Sequence, residues 1–412
     1  MAAGAPSLAG RRFLLVTLPA GPFGRELGTA LRALGAETLR VVFNGGDLLD
    51  WGFHDVVLAQ GPFEDWTTFV ERTLVDRSIT DLVVFGDATP YSAGAVAAPR
   101  RAGTRLWVIE NGYQRPHWVT VEPDGVNANS ALPRDPRAYD DVDLSSLGED
   151  PPPVGQITPF HVMHTFNYFA GVILAWPMFR RYRYPYAVRI WPQAFGHLRR
   201  YLVWLLRRRA FEREALAVLD DPGPFFLACL QRDGDSQLLA HSELKTNRAF
   251  MTNVIRSFAA DAPADARLVI KNHPLDPGVE DLGGLCRDLT WSYGVSERVR
   301  FLDGGAFAPL AHGARGLIAV NSTAALAALE FGTPVKLLGR ALFDIAGLTD
   351  SQSLSDFWKA PKAPDAMLLA RFRRRLVLRT QVYGSFHNPS VRRRTARGVA
   401  ARLLCPNREF LA

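Results

Sequence analysis

The sequence predicts an α/β protein made of two doubly wound domains, and three observations support this fold class. At 412 residues, the chain is longer than a single hydrophobic core usually serves. Short apolar runs alternate with amphipathic helical stretches in both halves, which indicates parallel sheets covered by helices. Most of the apolar runs end in Gly, Asn, Asp or His, so polar side chains are expected along one edge of each sheet.

The first half of the chain contains four predicted strands. Their sequences are RFLLVTL, LRVVFN, ITDLVVFGD and TRLWVIENG, and helices are predicted near 25–37, 66–75 and 93–102. The polar ends of the strands are Pro19–Gly24, Asn44–Asp47, Gly86–Asp87 and Glu110–Gly112. No GxGxxG follows the first strand, so the dinucleotide fingerprint is absent, and no GxxxxGKS/T phosphate-loop pattern occurs.

Composition changes divide the chain into four predicted parts. Residues 113–160 are rich in Pro, Asn, Asp and Gly, and Pro151–Pro153 marks a boundary. We therefore predict an α/β domain at 1–155, a basic aromatic helical connector at 156–220, a second α/β domain at 221–350 and a basic helical tail at 351–412.

The connector combines an apolar run with many arginines. FNYFAGVILAWPMF has 14 residues, which is shorter than the roughly 20 needed to span a bilayer. Between Arg180 and Arg209 there are nine arginines and no acid, with aromatic residues interleaved. This pattern suits the plane of a membrane interface, and equally a helix that packs on a domain core. No known nucleic-acid module occurs, so we expect no nucleic-acid partner.

Charge and cysteine content indicate the compartment and the kind of partner. The formal net charge is +7, and a second basic block lies within 371–394, which favours an anionic partner. The three cysteines, Cys229, Cys286 and Cys405, are scattered, which is typical of a reducing compartment. The N-terminal apolar run of about five residues is shorter than a secretory signal needs. These features predict a cytoplasmic protein.

The second half repeats the alternation of strands and helices. Its predicted strands are Phe225–Leu230, ARLVIKNHP, RVRFLDG, RGLIAVNST and TPVKLLG, with helices near 245–260 and in TAALAALEFG. Polar groups again follow the strands, and the best anion-binding elements lie in this half. The combination is typical of a GT-B-like glycosyltransferase, in which two doubly wound Rossmann-type domains face a cleft.

The segment QRDGDS, after the strand Phe225–Leu230, is the predicted catalytic centre. It places Asp233 and Asp235 on either side of Gly234, beside Gln231 and Arg232. We predict that Asp235 attacks a sugar. The alternative is that Asp233-Gly234-Asp235 is a solvated turn.

Two further strand ends are predicted to bind an anion. Asn321-Ser322-Thr323 opens a helix, where backbone N–H groups and the helix dipole favour negative charge, although Ser322 or Thr323 would also cap the helix. In Lys271-Asn272-His273-Pro274, an imidazole at the strand end would stabilise a departing phosphate. The alternative is a structural histidine.

Glu110-Asn111-Gly112, in the first half, is a further candidate site at a strand end. A carboxylate at this strand end would act as acid or base on an acceptor. A glutamate in this position is otherwise commonly a solvated cap.

Together these stretches resemble the KpsS/LipB-type capsule polysaccharide biosynthesis proteins. The resemblance spans nearly the whole chain in the family's order. Its segments are FNGGD (43–47), ITDLVVFGD (79–87), ENGYQRPHWVTVE (110–122), GVNANSALPRDP (125–136), LQRDGDSQLLAHS (230–242), KNHPLDPG (271–278), NSTAALAALEFGTPVKLLG (321–339), ALFDIAGLT (341–349) and YGSFHN (383–388).

The resemblance implies a β-Kdo transferase that uses CMP-Kdo and acts on a phosphatidylglycerol-type lipid at the inner face of the inner membrane. It makes 221–350 the CMP-sugar-binding domain and 1–155 the acceptor-side domain, and other capsule biosynthesis or export proteins become possible partners. The "EG" and "HP" motifs, which are similar to those of bacterial sialyltransferases, correspond to Glu110/Gly112 and His273/Pro274. The implied sites are, for catalysis, Asp235, His273 and Glu110; for the donor, Gln231, Arg232, Lys271, Asn321, Ser322 and Thr323; and for the acceptor, Asn44, Asp87, Gly112 and Arg115.

The sequence departs from the family pattern at two places. The family usually has EEG where this chain has Glu110-Asn111-Gly112, and often GDxRPYH where this chain has GDATPYS, with Thr89 and Ser92 in place of basic or imidazole side chains. Both departures concern the acceptor more than the donor.

The expected chemistry is a retaining transfer by two displacements, with Asp235 as nucleophile and no metal or other cofactor. CMP would leave while His273, Lys271 and the helix start at Ser322 and Thr323 stabilise its phosphate. Arg232 or Gln231 would hold the Kdo carboxylate. The alternatives are a GT-B transferase that uses another nucleotide sugar, and a non-catalytic capsule assembly or export factor at the membrane.

Overall fold

The computed structural model describes residues 7–101, 103–114, 117–145, 151–155, 157–185, 190–232, 234 and 236–405. Within these residues the chain forms twelve strands. They are β1 Arg12–Leu15, β2 Glu37–Val42, β3 Val56–Leu58, β4 Asp81–Phe85, β5 Arg105–Asn111, β6 Trp118–Pro123, β7 Phe225–Cys229, β8 Arg267–Lys271, β9 Val299–Leu302, β10 Gly316–Ala319, β11 Val335–Leu337 and β12 Gln381–Tyr383.

The same residues form fourteen α-helices. They are α1 Phe23–Ala33, α2 Gly45–Trp51, α3 Trp66–Asp76, α4 Pro90–Ala97, α5 Thr158–Leu174, α6 Ile190–Asp220, α7 Ser236–His241, α8 Asn247–Asp261, α9 Leu282–Ser292, α10 Phe307–Gly313, α11 Thr323–Glu330, α12 Leu354–Lys359, α13 Ala366–Thr380 and α14 Pro389–Leu404. Three short 3-10 turns lie at Phe63–Asp65, Asn127–Asn129 and Pro136–Tyr139.

The described residues fall into two compact units, each built on one sheet. Unit 1 draws on Met1–Leu132, Leu144–Pro185 and Arg374–Ala412, and unit 2 on Pro133–Asp143 and Tyr186–Arg373. The predicted α/β class with two doubly wound units is confirmed. The cleft between them that the GT-B-like class implies stays a prediction.

The sheet of unit 1 has seven strands in the order β12-β6-β5-β4-β1-β2-β3. Strands β1 to β5 are parallel, whereas β6 and β12 add to the edge in antiparallel pairs. The chain runs from β1 outward to β3 and then returns to the other side of β1 with β4. This reversal between β1 and β4 is the switch point at which ligands of doubly wound sheets usually bind.

The two faces of β1 show how the sequence alternation builds the core of unit 1. Phe13 and Leu15 face one hydrophobic cluster, which α1 and α14 cover. Leu14 and Val16 face the other, which α3 and α4 cover. Side chains alternate across a strand, so a run of buried apolar residues serves both faces.

The last part of the predicted tail is a structural part of unit 1. Strand β12 pairs with β6, and α14 packs on α1. The buried Arg402 donates hydrogen bonds to the carbonyls of Leu378 and Gln381, at 2.6 and 3.0 Å. Our division by composition grouped these residues with 351–373 as one basic tail; the contacts of the structure group them with the N-terminal sheet.

The FNGGD segment holds α2 against α5 within unit 1. A Cβ on Gly45 would lie 2.1 Å from the carbonyl oxygen of Gly171, so the two helices approach backbone to backbone. Asn44 caps α2 by accepting from the Asp47 N–H at 3.0 Å. Asp47 also pairs with Arg40 at 2.6 Å, and both side chains are 3% exposed.

Unit 2 contains a five-stranded, fully parallel sheet in the order β11-β10-β7-β8-β9. The chain runs from β7 to β9 and then crosses to the other side of β7 with β10, so its switch point lies between β7 and β10. Phe226 of β7 packs in a buried cluster with Phe258 of α8 and Trp358 of α12. The Trp358 Nε1 donates to Ser257 Oγ at 2.9 Å.

The predicted connector forms α5 in unit 1 and the whole of α6 in unit 2. Large apolar side chains are exposed on both helices, including Phe166 (73%), Leu174 (82%) and Leu206 (86%). Among the described residues, every helix is too short or too polar to span a membrane.

We predict that the Arg40–Asp47 pair contributes to the stability of unit 1. Replacing Arg40 by Met leaves a fully buried carboxylate without its cation, which costs about 3–5 kcal/mol in proteins. Urea unfolding followed by circular dichroism measures this loss. The double variant R40M/D47L removes both charges and should recover most of it; equal stability of R40M and wild type would contradict the prediction.

Candidate active site

A hydrogen bond joins the two loops that diverge at the switch point of unit 2. The Nε2 of Gln231, just after β7, donates to the Oδ1 of Asn321, just after β10, at 2.9 Å. Gln231 is 5% exposed, and its Oε1 has no hydrogen-bond partner among the described residues. Asn247 of α8 fixes the Gln231 backbone, because its side chain bonds both the N–H (3.3 Å) and the carbonyl (2.9 Å). A polar group is therefore held at the edge where a ligand is expected.

The predicted cap of α11 is present at this switch point. Ser322 Oγ accepts from the Ala324 N–H at 3.2 Å, and α11 starts at Thr323. Asn321, Ser322 and Thr323 are all partly exposed. The helix start therefore lies beside Gln231, and phosphate binding by it stays a prediction.

The next loop along the sheet holds His273 in a defined orientation. Asn272 donates from Nδ2 to Asp303 Oδ1 at 2.7 Å and accepts from the His273 N–H at 2.8 Å. The Nδ1 of His273 accepts from the Leu275 N–H at 3.0 Å. In the neutral ring the proton consequently resides on Nε2, which makes that nitrogen a hydrogen-bond donor.

Lys271, which we predicted to bind the donor phosphate, is buried and bonded to the backbone of unit 2. It is 7% exposed, and its ammonium donates to the carbonyl of Gly304 at 2.9 Å. Burial lowers the pKa of Lys271, partly offset by Cys229, Glu212 and Asp303. The lysine therefore ties β8 to the loop after β9.

Helix α6 contributes two arginines to this edge, which we did not predict from the sequence, because we placed these arginines in a connector between the domains. Arg200 pairs with Asp303 at 2.8 Å, and Arg199 donates to the Gly278 carbonyl at 2.6 Å. Burial and then the positive charge of Arg232 lower the pKa of His197. Arg199 and Arg200 thus add positive charge to the loops after β8 and β9, the first of which carries His273. Asp233 and Asp235 lie outside the described residues.

In unit 1, Glu110 stands at the end of β5, next to the loop that follows β4. Its Oε1 accepts from the N–H and the Nδ2 of Asn111, at 2.9 and 3.2 Å. A Cβ on Gly86 would lie 2.9 Å from its Oε2. The carboxylate is thus near the β1–β4 switch point, and its role as a base stays a prediction.

The other predicted acceptor-side residues make structural contacts. Asn44 is buried as the cap of α2, and its Nδ2 donates to Tyr168 at 2.7 Å. The buried Asp87 accepts from Val126 N–H and Asn129 Nδ2, at 3.1 and 2.9 Å, while its Oδ1 has no partner in the described part of the chain. A Cβ on Gly112 would lie 2.3 Å from the Trp118 carbonyl oxygen. Arg115 lies outside the described residues.

A histidine cluster near the loop after β1 was not anticipated. His164 of α5 and His387 are buried with their Nδ1 atoms 3.2 Å apart, and His161 stacks on His387 at 4.4 Å. Beside His164, the Gly21 N–H donates to Asp50 at 2.7 Å, and burial raises the pKa of Asp50 to about 6. His164 and His387 are 223 residues apart in the chain, so no sequence motif indicated that they are in contact.

The described residues include no group of three or more His, Cys, Asp or Glu side chains that could hold a metal ion. The expectation that catalysis needs no metal stays a prediction.

Two doubly wound units, each with polar side chains at its switch point, define an α/β protein of the kind that binds ligands at strand ends. The family model "Capsule polysaccharide biosynthesis protein" matches residues 80–387. The chain is 34% identical over 394 residues to the capsule polysaccharide export protein KpsS of Escherichia coli. The aligned region covers 92% of this chain and 98% of that protein. The chain belongs to the capsule polysaccharide biosynthesis protein family.

Other known proteins are similar over most of their length. The capsule polysaccharide modification protein LipB of Neisseria meningitidis serogroup B is 31% identical over 392 residues, 91% of each chain. Among solved structures, the Thermosulfurimonas dismutans KpsC β-Kdo 2,7 transferase is 14% identical and overlaps 87% of this chain and 88% of that one, with a TM-score of 0.43. The overlap with that structure is loose, so the family assignment rests on the family model and the relatives.

We predict that the buried His387 makes the protein sensitive to acid. Burial, and then the charge of its histidine and arginine neighbours, lowers the pKa of His387 to about 3. An unfolded histidine binds its proton near pH 6.5, so between about pH 6.5 and 3 the unfolded state binds more protons than the folded state. The free energy of unfolding therefore decreases as the pH is lowered through this range. The expected slope is up to about 1.4 kcal/mol per pH unit.

The test compares the pH dependence of unfolding in wild type and His387→Gln. The variant should lose less stability on acidification. Asp50 has the opposite effect on stability, because its raised pKa makes the folded state bind a proton at a higher pH than the unfolded state. This effect is present in both proteins and does not alter the comparison. Parallel stability curves between pH 6.5 and 4 would contradict the assignment.

Proposed function

We propose that this protein is a retaining β-Kdo glycosyltransferase that moves Kdo from CMP-Kdo to a phosphatidylglycerol-type lipid and so starts the linker of a capsular polysaccharide. The observation that carries the proposal is the Gln231–Asn321 hydrogen bond at the switch point of unit 2. It connects Gln231, the first residue of the predicted catalytic segment, with the start of α11. Membership of a capsule biosynthesis family supports a sugar as the substrate class.

The donor would bind along the edge of unit 2 between β10 and β8. The start of α11 supplies N–H groups and a dipole for the CMP phosphate. The Nε2–H of His273 is the donor that would stabilise the phosphate as the glycosidic bond breaks. Gln231 and Arg232 remain the groups proposed for the Kdo carboxylate. Lys271 would act indirectly, by holding β8 to the loop after β9.

Retention would follow from two displacements. Asp235 attacks the anomeric carbon, its oxygen forms the new C–O bond, and the bond to the CMP phosphate oxygen breaks with release of CMP. The acceptor hydroxyl then displaces Asp235, and its proton passes to a base. Glu110 is proposed as this base, since it is half-buried at the corresponding edge of unit 1.

The membrane surface is the proposed location of the acceptor. Exposed apolar side chains on α5, among them Phe166, Ile173 and Leu174, would enter the headgroup region, and nearby arginines would contact lipid phosphates. We therefore propose a protein peripheral to the inner face of the inner membrane, where other capsule proteins would act on its product.

The deciding experiment incubates purified protein with CMP-Kdo and a fluorescent phosphatidylglycerol analogue and determines product mass and CMP release. We expect one Kdo added per acceptor, with β linkage, and unchanged turnover in excess EDTA. Release of UDP or GDP from other donors, without CMP release, would indicate a different nucleotide sugar. Lipid binding without any nucleotide release would favour a non-catalytic capsule assembly factor.

The nucleophile assignment is tested by Asp235→Ala, with Asp233→Ala as the matched control in the same segment. Loss of the nucleophile should lower kcat by at least about 10³-fold, because no covalent intermediate can form. Asp233→Ala should retain most activity. Intact-protein mass spectrometry of wild type supplied with CMP-Kdo alone should show a Kdo adduct that Asp235→Ala lacks; an adduct that persists in Asp235→Ala would refute the assignment.

A further inference from the structure

Unit 1 contains a pocket of about 370 Å³ at the ends of β2 and β3, and none of the residues assigned above lines it. Pockets of this size are at the lower end of those that hold small organic ligands. Six of its twelve lining residues are aromatic. The lining residues are Phe43, Ala59, Gly61, Pro62, Phe63, Asp65, Trp66, Thr68, Phe69, Arg72, Tyr91 and Tyr182.

The base of this aromatic pocket is apolar because its polar atoms bond within the wall. Phe43 stacks on Tyr91 with 4.4 Å between ring centroids, and Trp66 meets Tyr91 edge-on at 4.9 Å. The Trp66 Nε1 donates to the Tyr91 carbonyl at 2.8 Å, and the Tyr91 hydroxyl accepts from the Arg183 N–H at 3.1 Å. Phe43, Trp66 and Tyr91 are all buried.

The rim of the pocket, in contrast, is polar and carries cations. Asp65, Thr68 and Arg72 are exposed at its mouth. The exposed Arg183 places its guanidinium 5.3 Å from the centroid of the Phe63 ring. Arg72 at the mouth and Arg183 beside the Phe63 ring outnumber the one lining carboxylate, Asp65. An apolar base with this surplus of positive charge suits a ligand with a hydrocarbon part and an anionic head.

The segment that follows α5 connects the exposed apolar end of this helix to the pocket. Tyr182, one of the lining residues, stacks on Tyr91 at 5.9 Å. A few residues before it, Leu174 is 82% exposed and Trp176 is 52% exposed. The Gln60 Nε2 donates to the Met178 carbonyl at 3.1 Å and so ties the loop at the mouth to this segment.

We propose that the aromatic pocket binds a hydrocarbon chain of an anionic lipid, whose phosphate pairs with Arg72 or Arg183. A sugar or a nucleobase would require hydrogen-bonding groups directed into the pocket, whereas the polar groups here lie at the rim. The exposed apolar residues after α5 give the chain a path from a bilayer into the pocket. The identification of this lipid as the sugar acceptor rests on the proposed function; the binding itself does not.

The test uses the full chain and a phosphatidylglycerol that carries a photoreactive group near the end of one acyl chain, in vesicles. After illumination, peptide mass spectrometry locates the crosslinks. We expect them within 59–72 and at Tyr91. Crosslinks confined to exposed residues of α5 and α6 would overturn the proposal, because the chain would then remain in the bilayer.

A pocket-filling variant and a matched control make the test quantitative. Thr68→Trp places an indole in the mouth, and Val75→Trp adds the same side chain to α3 at an exposed site that does not line the pocket. Thr68→Trp should reduce crosslinking at 59–72 at least tenfold, and Val75→Trp should not. If Thr68→Trp does not fold, Arg72→Glu should weaken capture of the anionic lipid; equal crosslinking in all variants refutes the proposal.

Two readouts separate this proposal from the proposed function. With CMP-Kdo, Thr68→Trp should raise KM for a long-chain acceptor at least tenfold and leave turnover of a chain-free glycerol phosphate acceptor unchanged. Absence of CMP release in wild type would refute the transferase and leave the crosslinking result intact. Competition of crosslinking by a water-soluble saccharide would instead identify a sugar pocket and overturn the lipid assignment.

Discussion

The order of strands around β7 is the constraint on which the rest of unit 2 depends. Because β8 and β10 flank β7, the loops after β7 and β10 leave the sheet in opposite directions. The bond between Gln231 and Asn321 joins the two loops at their start and orients both. Asn247, from α8, fixes the Gln231 backbone as well. Gln231 and the start of α11 are therefore adjacent, although 90 residues separate Gln231 from Asn321 in the chain.

Burial distinguishes two kinds of strand-end residue that have the same appearance in the sequence. Asn44 and Asp87 are buried, and their hydrogen bonds to nearby backbone and side chains stabilise the fold, although Asp87 bonds through Oδ2 alone among the described residues. Glu110, His273 and Ser322 are partly exposed at the same edges. Polar residues after strands thus differ in burial: the buried ones form bonds within the fold, and the partly exposed ones are the candidates for ligand binding.

The arginines of α6 and the exposed apolar end of α5 lie on different units of the folded chain. Arg200 pairs with Asp303 and Arg199 with the loop after β8, so part of the arginine block supports the candidate donor edge. The apolar end of α5 is exposed, and Tyr182, in the segment that follows α5, lines the aromatic pocket of unit 1. One compositional feature, arginines interleaved with aromatic residues, therefore contributes to two different surfaces.

The sequence by itself determined the α/β class, the strands that precede His273 and Asn321, and the cap at Ser322, because apolar periodicity and capping are local properties. It also indicated the family through motifs in a fixed order. Only the tertiary structure decided that Lys271 is buried against Gly304, that α14 completes unit 1, and that His164 meets His387. These features depend on contacts between residues far apart in the chain, which local patterns do not encode. The same reason explains the aromatic pocket, since its lining comes from segments that meet only when the sheet has formed.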